Sequence, residues 1–275
     1  MWRRIIYSDI QKRRPSSELP TLIMPQHTPP LPWLQPGDSF PDCRLAWDST
    51  TDAPGLLAAG SELSTTCLLK AYQAGIFPWF GVGQPILWWS PDPRMVLKVS
   101  EFRLRRSLQK VIKRFQSSPN SEIRFDTAFD RVIRACAQSN RRGQSGTWIL
   151  PGMVEAYIQL HRLGYAHSVE TWVDDQLVGG LYLVAIGKAV FGESMFSIQT
   201  DASKIAIGAL ICFCRANNVD VIDCQQNTGH LASLGARMIR RTDFMKHVDM
   251  SSVQPALEWT FASSMWSQLK EGIGS

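Results

Sequence analysis

His167–Ser197 reads HSVETWVDDQLVGGLYLVAIGKAVFGESMFS, and this stretch decides the fold. His167 to Val173 alternates like a strand, and Asp174-Asp175 supplies a turn. Leu177 to Ile186 is a second strand and Gly187 the next turn. Ala189 to Phe196 is a third. Three strands joined by tight turns form an antiparallel meander. Downstream, Asp201 or Ser203 can cap a long apolar helix that runs to Arg215. Val219–Gln225, VDVIDCQ, then reads as a buried strand with polar residues at its far end.

Further out the pattern stays mixed. A short helix through Leu231 to Gly235 and a last element from Arg237 to Val248 follow. On the N-terminal side, Met153–Leu163 is helical and carries Tyr157. A helix through Phe129, Val132 and Cys136 precedes it, after a strand ending near Phe125. Phe102–Phe115 keeps helical spacing at Leu104, Leu108, Val111, Ile112 and Phe115, with Arg103, Arg106, Lys110, Lys113 and Arg114 on the remaining surface. Ser64 can cap a helix over Thr65–Gln73 that presents Leu68, Leu69 and Tyr72 on one face and stops at Gly75. The loop after it holds Trp79, Trp88 and Trp89, as a core plug or as an aromatic platform.

The fold class expected is α+β. The meander–helix–strand order resembles an N-acetyltransferase-like C-terminal domain over residues 93–250, preceded by a small N-terminal α/β domain over 40–92. Residues 1–39 read as a disordered or extended tail, Arg-rich and then Pro-rich, with Met24 as an alternative start. Residues 251–275 read as a polar, Ser-rich C-terminal tail with two tryptophans and no assigned role.

The chain has 275 residues, 44% of them apolar, enough to bury a sizeable core. No apolar run approaches the ~20 residues of a membrane span. A net charge of +5 suits a phosphate-bearing partner, although a solvated basic surface would carry the same charge. The six cysteines are scattered without metal-ligand or redox spacing, which points to a reducing cytoplasm.

The polar groups inside the apolar strands are the best candidates for chemistry. Glu193 lies between Phe191 and Phe196, and Asp223 and Gln225, two apart, are expected on one face. Carboxylates there are costly unless paired or used. A structural ion pair with a nearby arginine and a catalytic role both account for them. His167 and His230 have no nucleophile partner and read as structural histidines.

An ordered set of motifs then narrows the reading. GLLAAGSELS (55–64), AYQAGIFPWF (71–80), PILWWSPDPR (85–94), GTWI (146–149), EAY (155–157), LHRLGYAHSVETW (160–172), LVGGLY (177–182), VFGESMFS (190–197), DASK (201–204), IDCQ (222–225) and HLASLGA (230–236) occur in one order along the chain. The series resembles the leucyl/phenylalanyl-tRNA–protein transferase family from about Phe40 to Val248. Each piece is weak alone; the ordered set is specific.

The resemblance implies transfer of Leu or Phe, and Met more weakly, from its tRNA to a protein beginning with Arg or Lys, a tag for degradation. It implies catalytic positions at Asp223, Gln225 and Glu193. It implies substrate contacts at Trp79, Trp148, Tyr72, Tyr157, Met195 and Phe196. The amino acid arrives as an activated ester, so no cofactor and no metal is expected. In this reading Asp223 acts through Gln225 on the acceptor amine, and Glu193 and Asp223 make an acidic pocket for the cationic side chain. Met195 and Phe196 line an apolar cavity, Trp79 and Trp148 stack the terminal adenine, and Arg103, Arg106, Lys110 and Lys113 meet the tRNA backbone. A monomer is expected. Three residues depart from the family pattern: Ser61 where Gly is usual, Leu183 where Gly is usual, and Ile198 where a basic residue is usual.

Two other readings have less support. A CoA-dependent acetyltransferase would need a Gly-rich turn in Ser197–Lys204, which has none. A non-enzymatic adaptor for basic N-termini would leave the aromatic and basic groups unexplained.

Overall fold

The computed structural model describes residues 30–139 and 149–269. Two sheets organise it. A four-stranded sheet has the order β1-β2-β4-β3, from β1 (Trp33–Leu34), β2 (Leu56–Gly60), β3 (Phe77–Pro78) and β4 (Leu87–Trp89). A seven-stranded sheet has the order β11-β5-β10-β9-β8-β7-β6. Its strands are β5 (Arg94–Lys98), β6 (Ser121–Phe125), β7 (Ala166–Val173), β8 (Gln176–Ile186), β9 (Ala189–Ser197), β10 (Val221–Gln225) and β11 (Arg237–Ile239).

The meander is present as β7-β8-β9, extended at its outer edge by β6. Asp174 and Asp175 both have positive φ, as a tight hairpin turn of the primed type requires. After β9 the chain crosses through helix α5 (Ala202–Ala216) and returns as β10, parallel to β9 through Ile222↔Val190 and Asp223↔Phe191. Asp201 occupies the N-cap position of α5 but makes no capping bond; its carboxylate pairs with Lys204 instead. Gly179 lets this helix start against β8, since a Cβ there would stand 2.5 Å from that of Ala202.

The long sheet is buried on both faces, which is why β8 reads as a nearly continuous apolar run. Tyr182, Val184 and Ile186 face one core; Leu181, Leu183 and Ala185 face the other. The first core also takes helices α1 (Thr65–Gln73), α3 (Phe129–Gln138), α4 (Pro151–Arg162) and α7 (Arg241–Ser252), together with the small sheet. The N-terminal portion and the large sheet therefore share one apolar core. The second core lies under α2 (Arg106–Gln116) and α5.

Several expectations need correction. Residues 30–39 are not a free tail. Ala59 donates to the Pro32 carbonyl (2.9 Å), Ser61 donates to that of Leu34 (2.7 Å), and Leu34 is buried. Residues 1–29 lie outside the described residues. The C-terminal segment is no polar tail either: Leu257, Trp259, Phe261, Met265 and Trp266 pack on the second core and Leu269 is buried in it. Trp259 stacks on Phe213 of α5 (4.7 Å) and on His167 (4.2 Å), and the Gln268 carbonyl accepts from Arg215 (2.6 Å).

The basic helix begins at Arg106, not near Phe102. Val99–Glu101 forms a 3-10 turn, Phe102 is buried, and Arg103 N–H donates to the Leu234 carbonyl. Arg103 therefore precedes the helix. Arg237 to Val248 is two elements, β11 and α7, broken at Arg240, whose backbone is extended. The helix expected at Leu231–Gly235 is α6 (Gly229–Ser233).

Candidate active site

Glu193 is the hub. Opposite Tyr182-Leu183 of β8, strand β9 runs Ser194 and then Gly192, so Glu193 is the extra residue of a bulge. Its side chain turns toward the first core. There Tyr72 of α1 donates to Glu193 Oε1 at 2.7 Å, and Gln225 Nε2 donates to the same oxygen at 2.7 Å. The Tyr157 hydroxyl of α4 stands 2.5 Å from that of Tyr72 and 3.4 Å from Glu193 Oε2. Both tyrosines are fully buried, while Glu193 keeps some exposed surface.

The carboxyl is pushed up to about 8, first by burial and then by the negative charge of Asp223, against the bonds from Tyr72, Gln225 and Tyr157. Burial, followed by the charge of Glu193, holds both phenols well above their usual range, so they remain donors.

Asp223 and Gln225 both serve this site, but not by simple alternation. β10 pairs with β5 through Asp223↔Val96 and Gln225↔Met95, a bulge that includes Cys224, and Gln225 has φ +60. Gln225 N–H donates to Asp223 Oδ1 at 2.9 Å. That turn aims the Gln225 amide at Glu193.

The partner that sequence reasoning missed is Arg94. Its Nε and Nη2 fork onto the two oxygens of Asp223 at 2.8 and 2.7 Å, with both side chains almost fully buried. The guanidinium lies between the rings of Phe77 (4.7 Å) and Phe244 (4.6 Å), and Nη1 donates to the carbonyl of Gly75. Gly75 ends α1 at φ +70, three residues after Tyr72. One arginine thus ties the helix that carries Tyr72 to the strand that carries Gln225. The only sequence signal was an arginine opening an apolar strand, RMVLKV, in a chain with a buried acid to match.

These contacts bear on the roles expected for Asp223 and for the two tyrosines. Asp223 spends its oxygens on Arg94 and Gln225 and touches the Glu193 site only through Gln225. Arg94 forks onto its carboxylate, yet the charge of Asp223 still helps push Glu193 up. Tyr72 and Tyr157, expected as substrate contacts, both bond to Glu193.

Met195 and Phe196 do not share a cavity. Met195 packs on the second core and Phe196 is buried in the first, on opposite faces of the sheet. Trp88 and Trp89 are buried plugs that donate to the carbonyls of Gly60 and Trp79. Trp79 is half-buried, edge-on to Trp89. Trp148 lies outside the described residues. Arg103, Arg106, Lys110 and Lys113 are all exposed. His167 is structural, its ring nitrogens 2.7 Å from Asp126 and 3.1 Å from the Gly164 carbonyl; His230 is exposed on α6.

Of the departures, Ser61 has φ +64, a conformation that suits glycine. Leu183 fills the second core, on the face away from Glu193, and Ile198 is exposed on the surface. Among the described residues, no helix is long and apolar enough to cross a membrane, and no group of three or more His, Cys, Asp or Glu could hold a metal ion.

A carboxyl pushed up by burial, with an amide and two phenols fixed around it, marks a candidate acid–base centre. Residues 96–249 match the family model described as leucyl/phenylalanyl-tRNA protein transferase, and residues 61–92 match that of the N-terminal domain of the same transferase. The chain belongs to the leucyl/phenylalanyl-tRNA–protein transferase family.

Relatives of that name include one from Polaromonas sp. (strain JS666 / ATCC BAA-500), 57% identical over 87% of this chain and 94% of its own. One from Albidiferax ferrireducens is 58% identical over 90% and 97%. One from Burkholderia pseudomallei (strain 668) is 52% identical over 84% and 91%. Among solved structures, a functionally unknown conserved protein from Staphylococcus epidermidis overlaps 67% of this chain and 68% of its own, at a TM-score of 0.33 and 11% identity.

Proposed function

We propose that this chain transfers Leu or Phe from aminoacyl-tRNA to the N-terminus of an acceptor protein by aminolysis of the ester, with Glu193 as the proton acceptor. The observation that carries the assignment is the placement of its carboxyl, held at 2.7 Å by Tyr72 and by Gln225 among apolar strands. Burial pushes that carboxyl up to about 8, toward the range of an α-amino group. A base so matched can take a proton from the α-ammonium near neutral pH. The neutral amine then attacks the carbonyl carbon, the C–N bond forms and the ester C–O bond breaks. The remaining amine proton passes to the departing ribose oxygen. The proton on Glu193 returns to solvent after release.

Gln225, held by Asp223 and through it by Arg94, orients Glu193; Asp223 and Arg94 are positioning residues. Acceptors beginning with Arg or Lys are favoured because their extra positive charge beside Glu193 stabilises its ionised form. Basic acceptors thus activate the base they use. Phe196 borders the place of the apolar acyl group, and Trp79 with Trp148 stacks the terminal adenosine. The exposed face of α2, with Arg103 beside it, meets the tRNA backbone. The antiparallel meander, crossover helix and parallel β9–β10 pair support an N-acetyltransferase-like catalytic domain. We place the reaction in the cytoplasm, carried out by a monomer, with degradation of the tagged protein as its outcome.

The test is transfer of radiolabelled Leu from charged tRNA to a peptide beginning with Arg and to one beginning with Ala, by the native protein and by Glu193→Gln. Label on the Arg peptide, lost by roughly 10²–10⁴-fold in the variant, is the expected result. Unchanged transfer by a folded Glu193→Gln protein would remove Glu193 from the chemistry.

A further inference from the structure

Strands β9 and β10 lie side by side only over their first halves. Their parallel pairing consists of Ile222↔Val190 and Asp223↔Phe191 and goes no further. Beyond that point each strand is held from its outer side alone. β10 stays on β5 as far as Gln225↔Met95, and β9 stays on β8 as far as Ser197↔Gly179. Both carry a bulge just past the last shared pair, one that takes in Glu193 and one that takes in Cys224. A bulge bends the strand that carries it. β10 ends at Gln225, with φ +60, and residues 226–228 lead along the surface to α6. The sheet is therefore parted along the inner edge of β9 over residues 193–197, and among the described residues no strand lies against that edge. Glu193 and Met195 are half-buried there, and Ser197 is exposed.

The direction of the main-chain groups follows from one bond. Ile198 N–H donates to the Val178 carbonyl at 2.8 Å, so Ile198 faces β8. Along an antiparallel strand such groups alternate from side to side. Phe196 therefore faces β8 as well, and Met195 and Ser197 turn their N–H and C=O into the cleft. Two residues of a strand span ~7 Å, which is also the repeat of an extended peptide laid beside it. An edge of this kind takes an added strand. A ribose–phosphate chain has no N–H at that repeat to answer it.

We infer that the acceptor protein docks in this cleft, its first residues forming a short strand parallel to β9. The inference rests on Glu193 being the centre at which the acceptor amine reacts, and it adds how the rest of the acceptor is held. The open edge starts at Glu193. An α-amine placed at that carboxyl leaves its chain to run toward Ser197, in the direction of β9. Met195 and Ser197 then bond to every second residue of the acceptor through its main chain. Side chains beyond the first residue take no part in these bonds, so acceptors of unlike sequence dock alike.

The experiment uses the full-length protein and hexapeptides beginning with Arg, each N-methylated at one of residues 2–5. Transfer of Leu from charged tRNA gives KM. Fluorescence anisotropy of the same peptides, dye-labelled at the C-terminus, gives Kd. Methylation at alternate positions should raise both by roughly tenfold, and methylation at the positions between should leave them within about a factor of two. Equal effects at all four positions, or none at any, overturn the docked strand. Displacement of the peptide by uncharged tRNA overturns it too, because the cleft would then belong to the RNA end. Alternation in Kd with no transfer to any peptide would keep the strand and refute the transferase reading. Transfer without alternation would do the reverse.

Discussion

Replacing Glu193 with Gln separates the two things its carboxyl does. In the folded protein the group releases its proton near 8, against an ordinary 4.5. Between those values the folded form holds a proton that the unfolded form has lost. Stability therefore falls as pH rises through this window, by at most about 1.4 kcal/mol per unit. Gln cannot ionise, and its amide oxygen can still accept from Tyr72 and Gln225. Glu193→Gln should match the native melting temperature near pH 5 and exceed it above pH 8, while losing transfer; thermal unfolding at the two pH values checks this.

Arg94→Met should cost ~3–5 kcal/mol, because it leaves Asp223 buried without its partner. Adding Asp223→Leu should recover much of that loss, as urea denaturation of the two variants would show. The polar residues of this site were legible because they interrupt apolar strands. Their division of labour was not. Whether Asp223 is a base or half of an ion pair depends on Arg94, 129 positions earlier, and no local pattern joins the two.

At the scale of elements, period and punctuation did most of the work. The helix over Thr65–Gln73 forms as expected, with Ser64 Oγ accepting from Cys67 N–H at 3.3 Å. The meander keeps its turns at Asp174-Asp175 and Gly187. What failed was continuity. Helical spacing ran back to Phe102, yet the 3-10 turn at Val99–Glu101, anchored by buried Val99, and the buried Phe102 after it keep the chain out of the helix until Arg106. The bulges at Glu193 and Cys224 are equally silent in the sequence, since an extra residue leaves the apolar pattern almost unchanged.

Two predictions belong at this level. Ser61→Gly should raise stability by up to ~1 kcal/mol by relieving a left-handed non-glycine residue, measurable by chemical denaturation. Ending the chain after residue 254 should strip Trp259, Phe261, Trp266 and Leu269 from the second core. We expect a markedly lower melting temperature and a loss of soluble protein on expression.

For the molecule as a whole, the basic face of α2 predicts how binding responds to salt. Arg106→Glu with Lys110→Glu should weaken different charged tRNAs alike and flatten the dependence of log K on log salt, by a little under one unit per lost phosphate contact. Fluorescence anisotropy across a salt series measures both. Acceptor choice should also depend on pH. In the proposed mechanism a basic N-terminus helps Glu193 ionise below about 8, and above it the carboxyl is ionised regardless. The preference for an Arg peptide over an Ala peptide should therefore narrow as pH rises from 7 to 9 in single-turnover assays.

The side chains that meet at Glu193 come from Tyr72, Tyr157 and Gln225, so more than half of the chain must be present before any of them has its partners. A polypeptide still being synthesised, or clipped by a protease ahead of β10, lacks Gln225 and a middle strand of the large sheet, so it has neither the assembled centre nor the core that holds it. Function therefore arrives only when the chain is nearly whole, and a cut anywhere before β10 removes it outright.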